Sequence, residues 1–174
     1  MSVTIITGTP GAGKTSISHL LSNEQPNGVH METDVFFHFL SHRIDPSLPE
    51  SNDQNITVIN AYTKSAVEYA AGGYSVFMDG VIGPWQLPLI SPVLKTFEYV
   101  ILNVSLDIAL ARARERTSQA SAQPVVIRRM HDQFSRIIQE YEKHVIQTNN
   151  KTLRQIADEY LEGKAKGNFT IRNS

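Results

Sequence analysis

The first residues that could do chemistry lie near the amino terminus, where glycines precede a lysine and a threonine. They form the stretch Gly8-Thr9-Pro10-Gly11-Ala12-Gly13-Lys14-Thr15. This order fits G-x-x-x-x-G-K-[ST], the pattern of a phosphate-binding P-loop. The alternative is a glycine-rich turn that carries a lysine by chance. Average composition gives such a match in about one chain in a hundred of this length.

The residues on either side of this stretch supply the structure that phosphate binding needs. The β-branched run 3–7 predicts a strand, and residues 16–21 predict a helix. Glycines let backbone N–H groups turn toward an anion, and the start of a helix adds a favourable dipole. We expect Lys14 to reach the β- and γ-phosphates and the Thr15 hydroxyl to bind Mg²⁺. The predicted nucleotide site therefore runs from Gly8 to Ser16.

A second group of polar residues follows the predicted strand 29–33. Asp34 stands at the end of that strand, where open α/β sheets place their ligands. Glu32 lies two residues earlier, so both carboxylates point the same way on an extended chain. As a general base, Asp34 would accept the proton of an acceptor hydroxyl while that oxygen attacks a γ-phosphate. The competing interpretation is that Asp34 caps the next helix, since aspartate is a preferred capping residue.

A third carboxylate, Asp79, ends the apolar run 74–79, which predicts another strand. In P-loop proteins a carboxylate at this place holds Mg²⁺ directly or through water. Gly80 follows it and would let a ligand approach the backbone closely. Trp85 is the only tryptophan in the chain. It could form one wall of an acceptor pocket, although most tryptophans are largely buried in the core.

Arginines in two other segments are further candidates. Arg43 lies in a proline-containing loop without a clear period, where it could bind an anionic acceptor or simply pair with Asp45. Arg112 and Arg116 lie four residues apart on one face of a predicted helix. They could stabilise the charge on a transferring phosphoryl group, or they could form a solvated basic surface.

The segment after these arginines has the character of a closing lid. Residues 117–123 are small and polar without periodicity, and arginines flank them on both sides, including Arg128 and Arg129. Segments of this kind close over phosphates in many enzymes. We therefore predict a lid at about residues 116–128.

These residues need a sheet that brings several strand ends together. Periodicity predicts strands that alternate with helices, the later strands lying at 97–104 and 144–148. This alternation indicates an α/β fold with a parallel sheet and helices on both faces.

Local signals predict where some helices begin and end. Ser51-x-x-Gln54 and Thr152-x-x-Gln155 resemble capping boxes. Gly163 is expected to end the last helix, and the polar tail after it is expected to fray.

Composition bounds the fold and the class of partner. The chain has 174 residues, 41% hydrophobic and 19% charged, which suits one domain over residues 1–174. A formal net charge of −1 argues against a protein that coats nucleic acids. The sequence has no cysteine, no signal-peptide pattern and no apolar run of about 20 residues. We therefore expect a cytoplasmic protein without membrane contact, and composition predicts no oligomeric state.

Together these motifs resemble those of the small P-loop kinases, the group that contains shikimate kinase, gluconate kinase, chloramphenicol phosphotransferase and the nucleoside monophosphate kinases. The resemblance runs from residue 3 to about residue 162. It rests on the stretch Gly8 to Thr15 and on Glu32-Thr33-Asp34, Met78-Asp79-Gly80 and Arg112-x-x-x-Arg116. It implies a three-layer P-loop fold with a five-stranded parallel sheet, ATP with Mg²⁺, and a small lid over the phosphates.

The resemblance also implies roles for single residues. Glu32-Thr33-Asp34 is similar to the acidic pair that holds the acceptor and the coordination shell of the metal in shikimate kinase. Asp34 also looks like the general base of the chloramphenicol-type enzymes. Arg112 matches the arginine that lies against adenine, and Arg116 matches a lid arginine near the phosphates. Thr148 falls where the loop after strand five borders the base.

Two departures from the family leave the acceptor open. Shikimate kinase has a glycine triplet after strand three, whereas this chain has Asp79-Gly80-Val81. Adenylate kinase has an arginine shortly after its Asp-Gly, whereas Ile82-Gly83-Pro84 follows here. Neither acceptor is therefore predicted.

The sequence predicts an ATP-binding, Mg²⁺-dependent phosphotransferase that acts on a hydroxyl of an unidentified small molecule. One alternative is a nucleotide-binding regulatory ATPase without such an acceptor. Another is a nucleic-acid end kinase, which the neutral charge balance disfavours. A GTPase is disfavoured because Asn149-Asn150-Lys151-Thr152-Leu153 lacks the aspartate of a guanine-reading N-K-x-D.

Overall fold

A computed structural model describes residues 2–114 and 123–173. The strands are β1 Ser2–Gly8, β2 Gly28–Glu32, β3 Ser75–Asp79, β4 Thr96–Asn103, β5 Val145–Gln147 and β6 Thr170–Arg172. The helices are α1 Lys14–Asn23, α2 Asp34–His38, α3 Asn52–Ala71, α4 Leu87–Leu94, α5 Leu106–Arg114, α6 Pro124–Ile137 and α7 Leu153–Ala165. Short 3₁₀ turns occupy Pro49–Ser51, Pro84–Gln86 and Glu142–His144. In this part of the chain, no helix is both long enough and apolar enough to cross a membrane.

The strands form one sheet in the order β2-β3-β1-β4-β5, and each neighbouring pair in that row is parallel. Parallel pairing requires a crossover between successive strands, and the intervening helices supply it. The register places Asp79 opposite both Ile6 and Glu32, at the carboxyl edge of the sheet. The P-loop and the polar ends of β2 and β3 therefore meet at one edge. The α/β fold with a parallel sheet is confirmed.

The sheet has six strands, not the five that the resemblance implies. The sixth, β6, runs antiparallel to the first half of β4, with Ile171 opposite Phe97, while β5 pairs with the second half of β4. The backbone N–H of Tyr99 donates to the carbonyl of Phe169 at 2.8 Å. Phe169 is buried and stacks on Tyr160 of α7. The prediction that the tail frays is therefore wrong, because the strand and this ring hold it in place.

Side chains on alternate sides of each strand build two cores, one under each layer of helices. One core holds Ile5, Met78 and Tyr99 from the sheet with Tyr62 and Ile90 from α3 and α4. The other holds Ile6, Phe77 and Val100 with Ile17, Ala109 and Ile156 from α1, α5 and α7. The fold is therefore three-layered, with helices on both faces as predicted.

One of the two capping-box predictions is confirmed and the other is wrong. The box at Thr152 is present, since Gln155 N donates to Thr152 Oγ1 at 3.3 Å and Thr152 N donates to Gln155 Oε1 at 2.8 Å. The box at Ser51 is wrong, because the Ser51 hydroxyl donates to the Leu48 carbonyl at 2.7 Å. The Gln54 side-chain amide instead bonds to the backbone of Ile44 in the loop before α3.

Gly163 does not end the last helix, since α7 continues to Ala165. Its small size serves packing instead. A Cβ at Gly163 would lie 2.4 Å from the ring of Phe169, so the glycine makes room for the ring that holds the tail.

We expect Phe169→Ala to lower the free energy of unfolding by about 3–5 kcal/mol, because a buried aromatic ring leaves a cavity in the core. Leu161→Ala on α7 is the control, since Leu161 is 42% exposed and its loss should change stability by about 0.5 kcal/mol or less. Urea denaturation measures both. Equal stability of the two variants would contradict the buried position of Phe169.

Candidate active site

The loop between β1 and α1 closes tightly on the neighbouring elements. Gly8, Gly11 and Gly13 have φ values of 138°, 85° and 95°, a region that side chains disfavour. A Cβ at Gly8 would lie 2.2 Å from the Leu102 carbonyl oxygen of β4. The space beside Gly13 is open, with no atom of the described chain within 4 Å of an added Cβ. The start of α1 therefore has open space beside it at Gly13.

Two cationic side chains contact the carbonyls of this loop. Lys14 Nζ donates to the Thr9 carbonyl at 3.1 Å, so the lysine lies folded over the loop. Arg112 Nη1 donates to the Gly11 carbonyl at 2.9 Å from the side of α5. The Thr9 hydroxyl is buried without a hydrogen-bond partner among the described residues. The loop thus presents cations and an unused polar atom, which suits an anionic ligand.

Asp79 connects the P-loop helix to β2. The Thr15 hydroxyl donates to Asp79 Oδ2 at 2.8 Å, and His30 Nε2 lies 2.6 Å from Asp79 Oδ1. Asp79 is buried, and a buried carboxylate is costly unless donors satisfy it. These two side chains supply the donors, one to each oxygen.

The backbone of Asp79 also fixes the start of α2. Its carbonyl accepts hydrogen bonds from Thr33 N at 2.9 Å and from the Thr33 hydroxyl at 3.0 Å. A Cβ at Gly80 would lie 2.0 Å from Thr33 Oγ1 and 3.7 Å from Asp34 Oδ1. Gly80 is therefore the residue that allows β3 and the start of α2 to approach, and it lies directly beside Asp34.

Asp34 is the first residue of α2, and the cap position belongs to Thr33. In the described chain the Asp34 carboxylate makes no hydrogen bond to the helix backbone, so the capping interpretation is wrong. Asp34 is exposed to solvent as a whole residue, while many protein atoms lie around its carboxyl group. This burial raises the pKa of Asp34; the Lys14 charge opposes the shift, and the Asp79 charge adds to it. A raised pKa is what a general base needs.

The loop that carries Arg43 is held by the first turn of α3. Gln54 pairs with the backbone of Ile44, accepting from its N–H at 2.8 Å and donating to its carbonyl at 2.9 Å. Arg43 is exposed, and its charge lowers the pKa of Asp34 slightly, as the last of the contributions. No ion pair joins Arg43 to Asp45 in the described residues, and Asp45 instead accepts from Ser47 N at 2.9 Å. Arg43 thus lies on a fixed loop near the candidate base.

Trp85 is 52% exposed, so the interpretation as a core residue is wrong. Its ring lies over Gly83, where a Cβ would come within 2.2 Å of the indole. On the other side it contacts Phe134 of α6, with ring centroids 6.1 Å apart. An exposed tryptophan beside the end of β3 is available to a ligand.

The remaining predicted site residues lie after β5, on α6 or in the predicted lid. Thr148 is buried, and both its N–H and its hydroxyl donate to the Asn103 carbonyl, at 2.8 and 3.1 Å. Arg128 and Arg129 are exposed on α6. Arg116 and most of the predicted lid lie outside the described residues.

The residues at this edge fit Mg²⁺ with a nucleotide. Their donors are a hydroxyl on Thr15 and a carboxylate on Asp79, which are hard oxygen ligands. The described residues contain no cluster of three or more His, Cys, Asp or Glu side chains that could hold a metal alone. Mg²⁺ is usually held by one or two carboxylates together with substrate phosphates and water, so this sparse set is suitable.

Sequence reasoning missed His30. It lies in the short edge strand β2, two residues before Glu32. A histidine near the carboxyl end of a parallel strand is the signal that could have marked it.

Comparisons with known proteins agree with this geometry. A family model described as an AAA domain matches residues 5–132. A comparison with curated protein sequences finds no match. The site residues described above lie within the matched range, except Phe134 and Thr148.

Three solved structures share the fold. An unliganded sugar kinase from a Janibacter species aligns with a TM-score of 0.67 over 95% of each chain, at 12% identity. Shikimate kinase from Acinetobacter baumannii, solved with shikimate, aligns with a TM-score of 0.67 at 16% identity, over 96% of this chain and 94% of the other. The tunicamycin resistance protein from Deinococcus radiodurans aligns with a TM-score of 0.64 at 18% identity over 99% of each chain. At these identities the similarity shows the fold.

The raised pKa of Asp34 predicts how stability depends on pH. A carboxyl whose pKa is higher in the fold than in the unfolded chain stabilises the fold below its ordinary value of 3.8. That stabilisation is lost as the pH rises through the raised pKa. We therefore expect Asp34→Asn to be more stable than the native protein at pH 7, with the advantage shrinking toward pH 4.

Urea denaturation at both pH values measures this difference. Asp132→Asn, at an exposed position on α6, is the matched control and should show no such gain. If Asp34→Asn is less stable than the native protein at pH 7, the carboxylate does not lie in a desolvating site.

Proposed function

The chain belongs to the AAA domain family and has the fold of the small P-loop kinases, and on that premise we propose that it transfers the γ-phosphate of ATP to a hydroxyl of a small molecule. The observation that supports this most directly is the position of Asp34. Asp34 Oδ1 lies 3.7 Å from the point where a Cβ on Gly80 would stand, so a candidate base lies beside the strand end that carries Asp79. We further propose that residues 1–174 act as one kinase domain in the cytoplasm.

In this proposal the P-loop holds the donor nucleotide. The backbone N–H groups from Gly8 to Ser16 receive the phosphates, and Lys14 leaves the Thr9 carbonyl to reach the β- and γ-phosphates. Thr15 and Asp79 would hold Mg²⁺, which neutralises charge on the phosphates when bound. Arg112, already fixed on the loop, would cover the nucleotide. Arg116 and Thr148 keep the roles that the family resemblance assigns to them.

The acceptor side would be built around Asp34. Its carboxylate accepts the proton of the acceptor hydroxyl while that oxygen bonds to the γ-phosphorus. The bond between the γ-phosphorus and the β–γ bridging oxygen breaks, so the products are ADP, the phosphorylated acceptor and one proton. Arg43, Gly80 and Trp85 would line the acceptor pocket, with Arg43 offering a charge and Trp85 a flat apolar surface.

A metabolite screen for ADP release tests the proposal. The panel should include sugars, nucleosides and aromatic alcohols, because the lining combines a cation with an exposed indole. Acceptor-dependent ADP formation with a stoichiometric phosphorylated product is the expected result. Acceptor-independent hydrolysis, together with nucleotide-dependent binding to a protein, would instead indicate a regulatory ATPase. Labelling of a 5′-hydroxyl oligonucleotide would indicate a nucleic-acid end kinase.

The single tryptophan offers a direct test of acceptor binding. Because Trp85 is the only tryptophan, tryptophan fluorescence excited at a wavelength that tyrosine does not absorb reports on the surroundings of Trp85 alone. A hit from the ADP screen should change this fluorescence on binding, and a hit without any change would remove Trp85 from the pocket.

We expect Lys14→Ala to abolish ATP binding or turnover, because the lysine supplies the positive charge for the β- and γ-phosphates. Isothermal titration with ATP measures the binding. Lys64→Ala, at an exposed position on α3, controls for the loss of one positive charge. Native binding and turnover in Lys14→Ala would contradict the assignment of the phosphate loop.

We expect Asp34→Asn to bind ATP normally and to lower the rate of phosphotransfer by about 10²–10⁴, the usual contribution of a general base. Steady-state kinetics with the identified acceptor measures the rate, and Asp132→Asn is again the matched control. Unchanged turnover in Asp34→Asn would show that this carboxylate takes no proton.

A further inference from the structure

We infer that His30 is a positioning residue for the metal–nucleotide site, because it holds the Asp79 carboxylate in the orientation that faces Thr15. The inference deepens the proposed function and rests on it. It concerns the donor half of the site and needs no knowledge of the acceptor.

The geometry of the contact defines what His30 does. His30 Nε2 lies 2.6 Å from Asp79 Oδ1. A carboxylate can only accept hydrogen bonds, so the His30 Nε2–H donates. The Thr15 hydroxyl donates to the other oxygen at 2.8 Å. The carboxylate is therefore held at both oxygens, and it cannot rotate without breaking one of these bonds.

The contact is shielded from water. The side chains of His30 and Asp79 are 16% and 5% exposed. In such surroundings a lost donor is not readily replaced by solvent, and an unsatisfied buried charge is costly. His30 Nε2 is the donor that the structure places on Asp79 Oδ1, so its loss removes that hydrogen bond. The carboxylate would then turn toward whatever donor or water it can reach, away from the orientation that serves Thr15.

The chemistry of an imidazole suits this place. A neutral imidazole can donate a hydrogen bond without adding a positive charge next to the metal. A lysine or arginine would add such a charge and would weaken the attraction of Asp79 for Mg²⁺. In known metal sites the partners that hydrogen-bond to ligating groups orient them, and losing one costs 10–100-fold in metal affinity or activity.

The neighbouring His19 provides a matched control. It lies on α1, and its ring is edge-on to the His30 ring with centroids 6.0 Å apart. Asn23 Nδ2 lies 3.1 Å from His19 Nδ1, so the His19 side chain bonds within its own helix. His19→Ala therefore removes a ring from the same cluster without removing a donor to Asp79.

The test measures ADP binding by isothermal titration over a series of Mg²⁺ concentrations and in EDTA. For His30→Ala we expect unchanged ADP affinity in EDTA. We expect the Mg²⁺ concentration that gives half of the metal-dependent gain in affinity to rise roughly 10–100-fold. His30→Gln, which keeps a donor, should restore much of the native response, and His19→Ala should match the native protein. His30→Phe keeps the ring volume without the donor and replaces His30→Ala if that variant does not fold.

Two results would overturn the inference while leaving the proposed kinase intact. One is a native Mg²⁺ response in His30→Ala and His30→Phe. The other is an equal loss of ADP affinity in EDTA and in Mg²⁺, which would mean that His30 only supports the fold. If the native protein itself binds ADP without any response to Mg²⁺, the proposed function fails together with the inference.

Discussion

The hydrogen bonds of Asp79 are the constraint on which the rest of the site depends. Its carboxylate joins Thr15 of the P-loop helix to His30 of β2, and its carbonyl joins Thr33 before α2. A buried carboxylate in this position would be unfavourable by itself, and these donors offset that cost. The same bonds fix the phosphate loop relative to the segment that carries Asp34. Satisfying one buried charge therefore sets the spacing between the phosphate loop and the segment that carries Asp34.

The same arrangement also determines the pKa of Asp34. Asp34 is pushed toward its neutral form by burial and by the charge of Asp79, while Lys14 favours its charged form. The pKa of Asp34 therefore depends on the position of Lys14, whose Nζ donates to the Thr9 carbonyl in the structure. Moving the lysine to bound phosphates would change the proton affinity of Asp34 at the moment when an acceptor needs deprotonation. In the proposed reaction, binding of the donor and activation of the acceptor would therefore be coupled through Lys14.

The sequence predicted the parts of the structure that local patterns determine. The phosphate loop, the alternation of strands and helices and the box at Thr152 each depend on residues close together in the chain. The errors arose where contacts between residues far apart in the sequence determine the structure. Gln54 reads as part of a capping box, yet it bonds to the backbone of Ile44 because that loop folds back over α3. The strand β6 depends on a free edge of β4, and His30 gains its role only when β3 brings Asp79 beside it.

We propose that the P-loop, Thr15 and Asp79 form the donor site of a phosphotransferase. A crystal structure of the protein with ADP and Mg²⁺ tests it most directly. We expect phosphates within the loop from Gly8 to Ser16, a metal ion on the Thr15 hydroxyl, and a hydrogen bond between His30 and Asp79. A nucleotide bound elsewhere, or a metal ion remote from Thr15, would contradict it.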